Sequence, residues 1–287
     1  MDRTTTLEGS LELATPLVVD RPIDQRQRRG AGAVPAATGA EPCERTRVAS
    51  QEVSHLHPRT VPPSARYRYV TEVRESCQAD PMADELIYVG DPMCSWCWGF
   101  APVIDAVAAR ATVPLRIVIG GLRPEGAARP LDGSLRAFLH GEWARIAERT
   151  GQPFSTARLE HDDWIYDTMT ADTAVVAMRS LHPPSTLRFF TTIQRAFYAD
   201  GVDVTEPDVY RDLVAAFPVD PERFMAALTD PAIVAATRDD FREARELGAT
   251  GFPTLLHRRG DEVRTITRGY VDLDRILPPL TDVLAAS

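Results

Sequence analysis

The sequence contains no lysine. All 32 basic residues are arginine, and 41 acidic residues outnumber them, which sets the net charge at -9. Mechanisms that need a lysine, such as a Schiff base or a phosphate-binding lysine loop, are therefore excluded. The acidic balance also argues against a broad nucleic-acid-binding surface, which needs clustered positive charge. We attribute the lack of lysine to a GC-rich coding sequence rather than to chemistry.

Long apolar runs and a targeting signal are missing as well. A secretory signal needs a basic start and about 7–15 apolar residues, whereas the longest apolar patch near the N-terminus is residues 16–19. Early acidic residues also argue against an organelle transit peptide: Asp2, Glu8, Glu12, Asp20 and Asp24. We therefore expect a cytoplasmic protein without a membrane span.

Residues 1–81 lack the composition of a folded domain. Their 11 arginines and 11 acids cancel, and their only aromatic residues are Tyr67 and Tyr69. Because such a segment buries too little apolar area to offset its ordering entropy, we expect a disordered tail or an over-extended reading frame that truly starts at Met82. The folded protein is then the remainder of the chain, which carries the whole net charge.

Two apolar β-runs and a helix lie close together at the start of this remainder. Residues 86–89 form a run ended by Gly-Asp-Pro, and residues 114–119 form a second run ended by Gly-Gly. Between them, apolar residues recur at helical spacing from Phe100 to Ala108. A strand, a helix and a strand within so short a distance predict a right-handed βαβ unit with parallel strands.

Amphipathic helical stripes then follow one another through residues 131–248. Thr205 begins a predicted capping box, while Asp220 and Asp230 each precede a proline and are predicted N-caps. A β-hairpin around Gly260 and a closing helix, which Pro278-Pro279 should kink or interrupt, complete the chain. The predicted fold class is α/β, with a sheet built from residues 82–130 and 249–287 and an all-helical insertion, residues 131–248, between them.

Four cysteines raise the question of a zinc site. Only one C-x-x-C knuckle occurs among them, whereas structural zinc sites usually pair two such knuckles. The four are Cys43, Cys77, Cys94 and Cys97. A structural disulfide framework is not expected in a cytoplasmic domain that can stabilise itself by burial. We therefore expect no metal and interpret the knuckle as redox-active.

The knuckle lies where a strand gives way to a helix. Unpaired N–H groups and the positive dipole end at a helix N-terminus favour a thiolate at Cys94, the first and more exposed of the two cysteines. Cys97 follows by one helical turn and can attack a mixed disulfide formed at Cys94. The sequence thus predicts Cys94 as the nucleophile and Cys97 as the resolving thiol.

A third feature is the phrase Gly-Phe-Pro-Thr, residues 251–254, at the head of the returning hairpin, where a cis proline is tolerated. Together with the phrase DPMCSWCWGF at residues 91–100, it makes residues 82–287 resemble the DsbA-like branch of the thioredoxin superfamily, most closely its predicted cytoplasmic disulfide isomerases. The resemblance implies a thioredoxin-like fold with a helical insertion and a cis Pro253 facing the cysteines. It also implies that the Phe252 backbone pairs with a substrate strand beside Cys94.

The phrase departs from the strongly oxidising members of that family. Ser95 and Trp96 replace their Pro-His dipeptide, so the redox direction is left open. Phe252 is bulkier than the residue often found before the cis-proline and is expected to narrow the substrate groove.

Three further positions are candidates for the wall of the active site. Arg123 follows the second parallel strand and either steadies a thiolate or a substrate carboxylate, or is an ordinary surface arginine. Asp91 makes a turn before Pro92 and can tune Cys94. Trp96 and Trp98 flank the cysteines and can offer an apolar docking face.

These features predict a thiol–disulfide oxidoreductase or isomerase whose redox group is the Cys94–Cys97 disulfide and which needs no bound cofactor. Its partners are protein or small-molecule thiols and disulfides, with electrons from a glutathione or thioredoxin pool, and a homodimer is left open. One alternative is a glutathione-dependent enzyme like 2-hydroxychromene-2-carboxylate isomerase or the kappa-class glutathione transferases. Another is a redox-switched binding protein.

Overall fold

A computed structural model describes the backbone of residues 84–285 and the side chains as far as residue 281. The expectations for residues 1–81, including the alternative start at Met82 and the two cysteines Cys43 and Cys77, lie outside this range.

A four-stranded sheet in the order β2-β1-β5-β6 forms the framework of the fold. Its strands are β1 Asp84–Gly90, β2 Leu115–Ile119, β5 Thr254–Arg259 and β6 Glu262–Arg268. The first two are parallel and are joined by helix α1, Ser95–Ala108, while β5 pairs antiparallel with both β1 and β6. The predicted βαβ unit and hairpin are therefore confirmed.

Helices fill the sequence between β2 and β5. They are α2 Gly133–Thr150, α3 Met169–Leu181, α4 Thr186–Tyr198, α5 Tyr210–Val214, α6 Pro221–Leu228 and α7 Pro231–Glu246. The sequence did not predict the small antiparallel pair inside this block, β3 Arg129–Pro130 and β4 Ile165–Tyr166. A last helix, α8 Leu273–Ala285, follows the hairpin.

Both proline-linked N-caps are present. The Asp220 carboxylate accepts a hydrogen bond from the Arg223 N–H, and that of Asp230 accepts one from the Ala232 N–H, each at 2.8 Å. The capping box predicted at Thr205 is wrong, because the Thr205 hydroxyl donates to Asp203 and the chain continues into a short 3-10 turn.

Helix α8 continues through Pro278 and Pro279 instead of stopping there. A helical proline leaves the carbonyl four residues earlier without its N–H partner. These carbonyls belong to Asp274 and Arg275, which are exposed residues, so water can take the place of the missing donors.

Alternating residues of β1 face two different layers of helix. Leu86 and Tyr88 belong to the main core together with α1, whereas Ile87 and Val89 pack in a smaller cluster with Ala244 of α7. Helix α7, the last of the inserted helices, therefore covers the second face of the sheet. None of the helices between residues 84 and 285 is long and apolar enough to cross a membrane.

Candidate active site

The two cysteines lie where the loop after β1 enters α1. Cys94 is the N-cap residue of the helix, and its N–H donates to the Asp91 carbonyl at 3.0 Å. Both thiols are free, and Cys94 is 6% exposed whereas Cys97 is fully buried. Of the two, Cys94 is therefore the thiol that a substrate can reach.

Cys97 has a strongly perturbed environment. Burial raises the pKa of its thiol well above the usual value, and the neighbouring Cys94 raises it further. The main chain of Asp91 and the side chain of Tyr88 act in the opposite direction. Cys97 is thus held neutral in the resting dithiol, and forming its thiolate requires help from polar groups nearby.

The Phe252–Pro253 segment lies directly against Cys94. The peptide bond between these two residues is cis, and the Cys94 Sγ donates a weak hydrogen bond to the Phe252 carbonyl at 3.8 Å. On the other side, the Pro253 carbonyl accepts from the Gly269 N–H at 2.7 Å. The returning chain is therefore anchored beside the thiol, although it is 158 residues away in sequence.

The ring of Phe252 packs over Gly120 at the end of β2. A Cβ placed on Gly120 would lie 2.1 Å from the ring, a separation that no real structure allows. The close approach therefore depends on glycine at position 120. The bulk of Phe252 is accommodated there, and Phe252 also lines a cleft together with Trp96.

Asp91 anchors the cysteine loop. Its carboxylate is fully buried and accepts from the Met93 N–H at 2.7 Å and from the Leu122 N–H at 2.6 Å. Burial raises the pKa of Asp91 to about 6, although these two hydrogen bonds oppose the rise. The expected turn is present, and the same side chain ties the cysteine loop to the loop after β2.

A second buried acid, Asp172 of α3, lies near Asp91 and accepts a hydrogen bond from the Thr168 hydroxyl at 2.9 Å. Burial raises the pKa of Asp172 well above its usual value, and the negative charge of Asp91 raises it further. Asp172 therefore keeps its proton to a higher pH than an exposed carboxylic acid does. The sequence offered no signal for this pairing, because Asp172 lies in the helical block.

Two buried tyrosines clamp the peptide that precedes Cys94. The hydroxyls of Tyr166 and Tyr198 both donate to the Met93 carbonyl. No local sequence pattern indicated either residue, and they are 73 and 105 positions from Met93. They hold the Met93 carbonyl in place from the side of the inserted helices.

Arg123 is connected to this clamp. Its guanidinium lies over the Tyr166 ring, 5.3 Å from the centroid, and its main-chain N–H donates to the Thr168 hydroxyl at 3.2 Å. The structure thus links Arg123 to the cysteine loop through Tyr166, which donates to the carbonyl before Cys94.

The two tryptophans beside the cysteines differ sharply. Trp98 does not offer a docking face, because it is only 6% exposed, its indole N–H donates to the Pro153 carbonyl and its ring stacks on Tyr198. Trp96 is half-buried and donates to Glu142 at 2.8 Å. Ser95, the first residue of α1, is also half-buried.

A cleft of about 390 Å³ opens beside Phe252 and Trp96. Its lining combines aromatic rings, a glycine and two arginines: Trp96, Arg145, Arg149, Phe252, Gly269 and Tyr270. The Arg145 guanidinium lies 5.0 Å from the Trp96 ring centroid, and that of Arg149 lies 5.0 Å from that of Tyr270. Only the i, i+4 spacing of the two arginines on α2 could have indicated from sequence that they share a face.

Residues 85–277 match the model of the DSBA-like thioredoxin domain. The chain belongs to this family, which is a family of thiol–disulfide oxidoreductases. The fold expected from the sequence is thereby confirmed.

Solved structures agree with the assignment. A protein of Nitrosomonas europaea, provisionally described as a protein disulfide isomerase, is 32% identical with a TM-score of 0.65, and the match covers 71% of this chain and 98% of that one. The cytosolic disulfide reductase DsbM of Pseudomonas aeruginosa is 29% identical with a TM-score of 0.57, covering 70% and 96%. DsbM has also been solved with glutathione, with a TM-score of 0.55.

Among curated proteins, the ClpXP adapter protein SpxH of Halalkalibacterium halodurans is 23% identical over 175 residues, which are 58% of this chain and 56% of the adapter. The SpxH of Bacillus licheniformis is 25% identical, and the match covers 62% of this chain and 59% of that protein. The chain therefore spans somewhat more than half the length of the curated relatives it matches.

Proposed function

We propose that this protein exchanges disulfides through a mixed disulfide at Cys94, which Cys97 then resolves. The observation that carries the proposal is the position of the Cys94 thiol. It lies at the N-cap of α1 and against the carbonyl of Phe252, a residue that also lines an open cleft, and a second thiol follows one helical turn later.

In the reducing direction, the Cys94 sulfur attacks a substrate disulfide and expels the first substrate thiol. Cys97 then attacks the Cys94 sulfur, releases the second substrate thiol and leaves a Cys94–Cys97 disulfide. A thiol pool in the cytoplasm restores the dithiol, and the cytosolic description of DsbM supports this location. No bound cofactor is required for any of these steps.

We propose glutathione as a small-thiol substrate of the cleft. The salt bridges from Arg145 to Glu142 and from Arg149 to Asp272 use only part of each guanidinium, which carries five N–H donors. The remaining donors suit a carboxylate of a small peptide thiol. The structure of DsbM with glutathione supports the same substrate class.

Turnover of a protein disulfide by single variants tests the proposal. We expect no turnover with Cys94→Ser and a trapped mixed disulfide at Cys94 with Cys97→Ser, which lacks the resolving thiol, whereas a Cys43→Ser/Cys77→Ser control keeps the wild-type rate. Full turnover by Cys94→Ser would end the proposal. Activity that appears only on a small electrophile with added glutathione would favour the glutathione-dependent isomerase or transferase. Redox-dependent binding of a partner without turnover would favour the redox-switched binding protein.

A further inference from the structure

Tyr88 carries a buried hydroxyl that the mechanism above does not use. It is the one polar side chain in an otherwise apolar run, residues 86–89 of β1, and it is fully buried. Its hydroxyl forms no hydrogen bond of ordinary geometry within the described part of the chain, although it acts on the pKa of the Cys97 thiol. An unpaired buried hydroxyl lowers folding stability by about 1–3 kcal/mol. Phenylalanine would therefore be more stable at this position unless the oxygen contributes to function.

The Tyr88 ring lies along the face of α1 that carries Cys97. It stacks on Phe100 with the centroids 6.0 Å apart and meets Phe190 of α4 edge-on at 5.7 Å. Phe100 follows Cys97 at i+3, and residues so spaced share one face of a helix. The aromatic contact therefore places the Tyr88 side chain between the sheet and the buried cysteine.

The hydroxyl end of the ring points toward the cysteine loop. A Cβ placed on Gly90 would lie 3.0 Å from the Tyr88 Cζ and 3.1 Å from its oxygen. Gly90 is the last residue of β1 before the loop that leads to Cys94, so the phenol leans along the strand toward the active site. Glycine at position 90 leaves the space that this orientation needs.

Electrostatics agree with this geometry. Burial raises the pKa of Tyr88 well above its usual value, and the largest contribution after burial is the charge of Cys97. Cys94 and Asp105 of α1 raise it further, while the facing residue of α4, Phe190, is uncharged. Tyr88 therefore keeps its proton across the neutral range and is available as a hydrogen-bond donor.

We propose that the Tyr88 hydroxyl donates a hydrogen bond to the Cys97 sulfur while that sulfur carries negative charge, and that it thereby accelerates the step in which Cys97 resolves the mixed disulfide. This proposal rests on the function proposed above and adds a group that acts on its second step. Hydrogen bonds to charged groups are stronger than those between neutral groups, so the effect is concentrated where the thiolate forms.

The step balances without a further reactant. Cys97 releases its proton to solvent and attacks the Cys94 sulfur, the bond from Cys94 to the substrate sulfur breaks, and the Cys94–Cys97 bond forms. The departing substrate sulfur takes the electron pair and then a proton from solvent. Tyr88 keeps its own proton throughout. In the reverse direction, the same hydrogen bond stabilises Cys97 as the leaving thiolate.

A chromogenic aromatic disulfide, 5,5′-dithiobis(2-nitrobenzoate), separates the two steps in one experiment. In a Cys43→Ser/Cys77→Ser background, attack by Cys94 releases one coloured thiolate and resolution by Cys97 releases a second. Stopped-flow absorbance of the reduced protein then measures both rates as a function of pH.

For Tyr88→Phe we expect an unchanged first phase and a second phase slowed about 10-fold or more, with its pH midpoint displaced upward because the Cys97 thiolate has lost a donor. Tyr210→Phe, which removes a buried hydroxyl bonded to the Val204 carbonyl, is the matched control and should leave both phases unchanged. Gly90→Ala crowds the Tyr88 phenol without removing its hydroxyl and should also slow the second phase. This variant replaces Tyr88→Phe as the test if Tyr88→Phe does not fold.

A second phase in Tyr88→Phe with the wild-type rate and pH midpoint would overturn the proposal. Equal slowing of both phases would also overturn it, because the hydroxyl would then act on the whole loop. Failure of the proposed function itself looks different: the protein with both Cys94 and Cys97 would release only one equivalent of the coloured thiolate, as Cys97→Ser does, and no second phase would exist.

Discussion

At the scale of single residues, Gly120 and Phe252 form a matched pair across the active site. The Phe252 ring occupies the space that any side chain at position 120 would need, and the Phe252 carbonyl accepts from Cys94. We expect Gly120→Ala to displace the ring, to lower kcat/KM for disulfide reduction about 10-fold and to destabilise the fold by about 1–3 kcal/mol.

Gly141→Ala on α2 is the control, since a Cβ there meets nothing within 4 Å and alanine favours a helix. Combining Gly120→Ala with Phe252→Ala should restore the stability, because the overlap is then removed. Wild-type activity and stability in Gly120→Ala alone would show that the ring moves freely and that the pair has no role.

The candidate site divides into residues that the sequence could and could not indicate. Cys94, Cys97 and Pro253 lie in short sequence motifs whose residue types indicate redox chemistry directly. Tyr166, Tyr198 and Asp172 lie in helices or short strands of the inserted block, where they resemble ordinary core residues. Their approach to the cysteine loop depends on how that block packs, which no local pattern records.

At the scale of elements, β2 is an edge strand whose backbone groups are covered by side chains. The Asp240 carboxylate accepts from the Ile119 N–H at 2.9 Å, and Arg179 donates to the Ile117 carbonyl and to Asp240 at 2.7 Å. Charged groups at an exposed edge prevent pairing with another chain.

We expect Asp240→Ala to lower the free energy of unfolding by about 3 kcal/mol, because it leaves a buried N–H and the Arg179 guanidinium without their partner. Urea unfolding measures the change. Asp239→Ala, an exposed residue paired with Arg242 on the same helix, is the control and should cost about 1 kcal/mol or less. Equal losses in the two variants would contradict this account of the edge.

Helices and strands whose residues follow a local sequence pattern were predicted correctly. The βαβ unit and the hairpin follow from apolar runs closed by glycine or proline, and the Asp-Pro caps satisfy helical N–H groups within one turn. The pair β3 and β4, of two residues each, has no such pattern. The capping box predicted at Thr205 is absent because the Thr205 hydroxyl donates to Asp203, two residues earlier, instead.

At the scale of the whole molecule, the buried acids Asp91 and Asp172 make stability depend on pH. Both pKa values are raised in the folded state, that of Asp91 to about 6. The stability that such groups contribute is complete below the unfolded pKa, about 4, and is lost as the pH rises through the folded pKa.

We therefore expect Asp172→Asn, which has nearly the same shape and supplies an amide N–H but does not ionise, to gain stability relative to the wild type as the pH rises above about 4.5. The steepest gain is about 1.4 kcal/mol per pH unit, the value for one proton. Urea unfolding from pH 4 to pH 8 measures it, with the exposed Asp239→Asn as the control. A difference that does not change with pH would show that Asp172 is ionised in the folded protein.

The central claim is that Cys94 receives the substrate and Cys97 resolves it. The most direct measurement is a peptide mass map of the Cys97→Ser protein, in the Cys43→Ser/Cys77→Ser background, after reaction with a disulfide-bonded protein and alkylation of free thiols. The account predicts a stable substrate adduct linked through Cys94. Complete alkylation of Cys94 with no adduct, while the wild type turns over the same substrate, would contradict it.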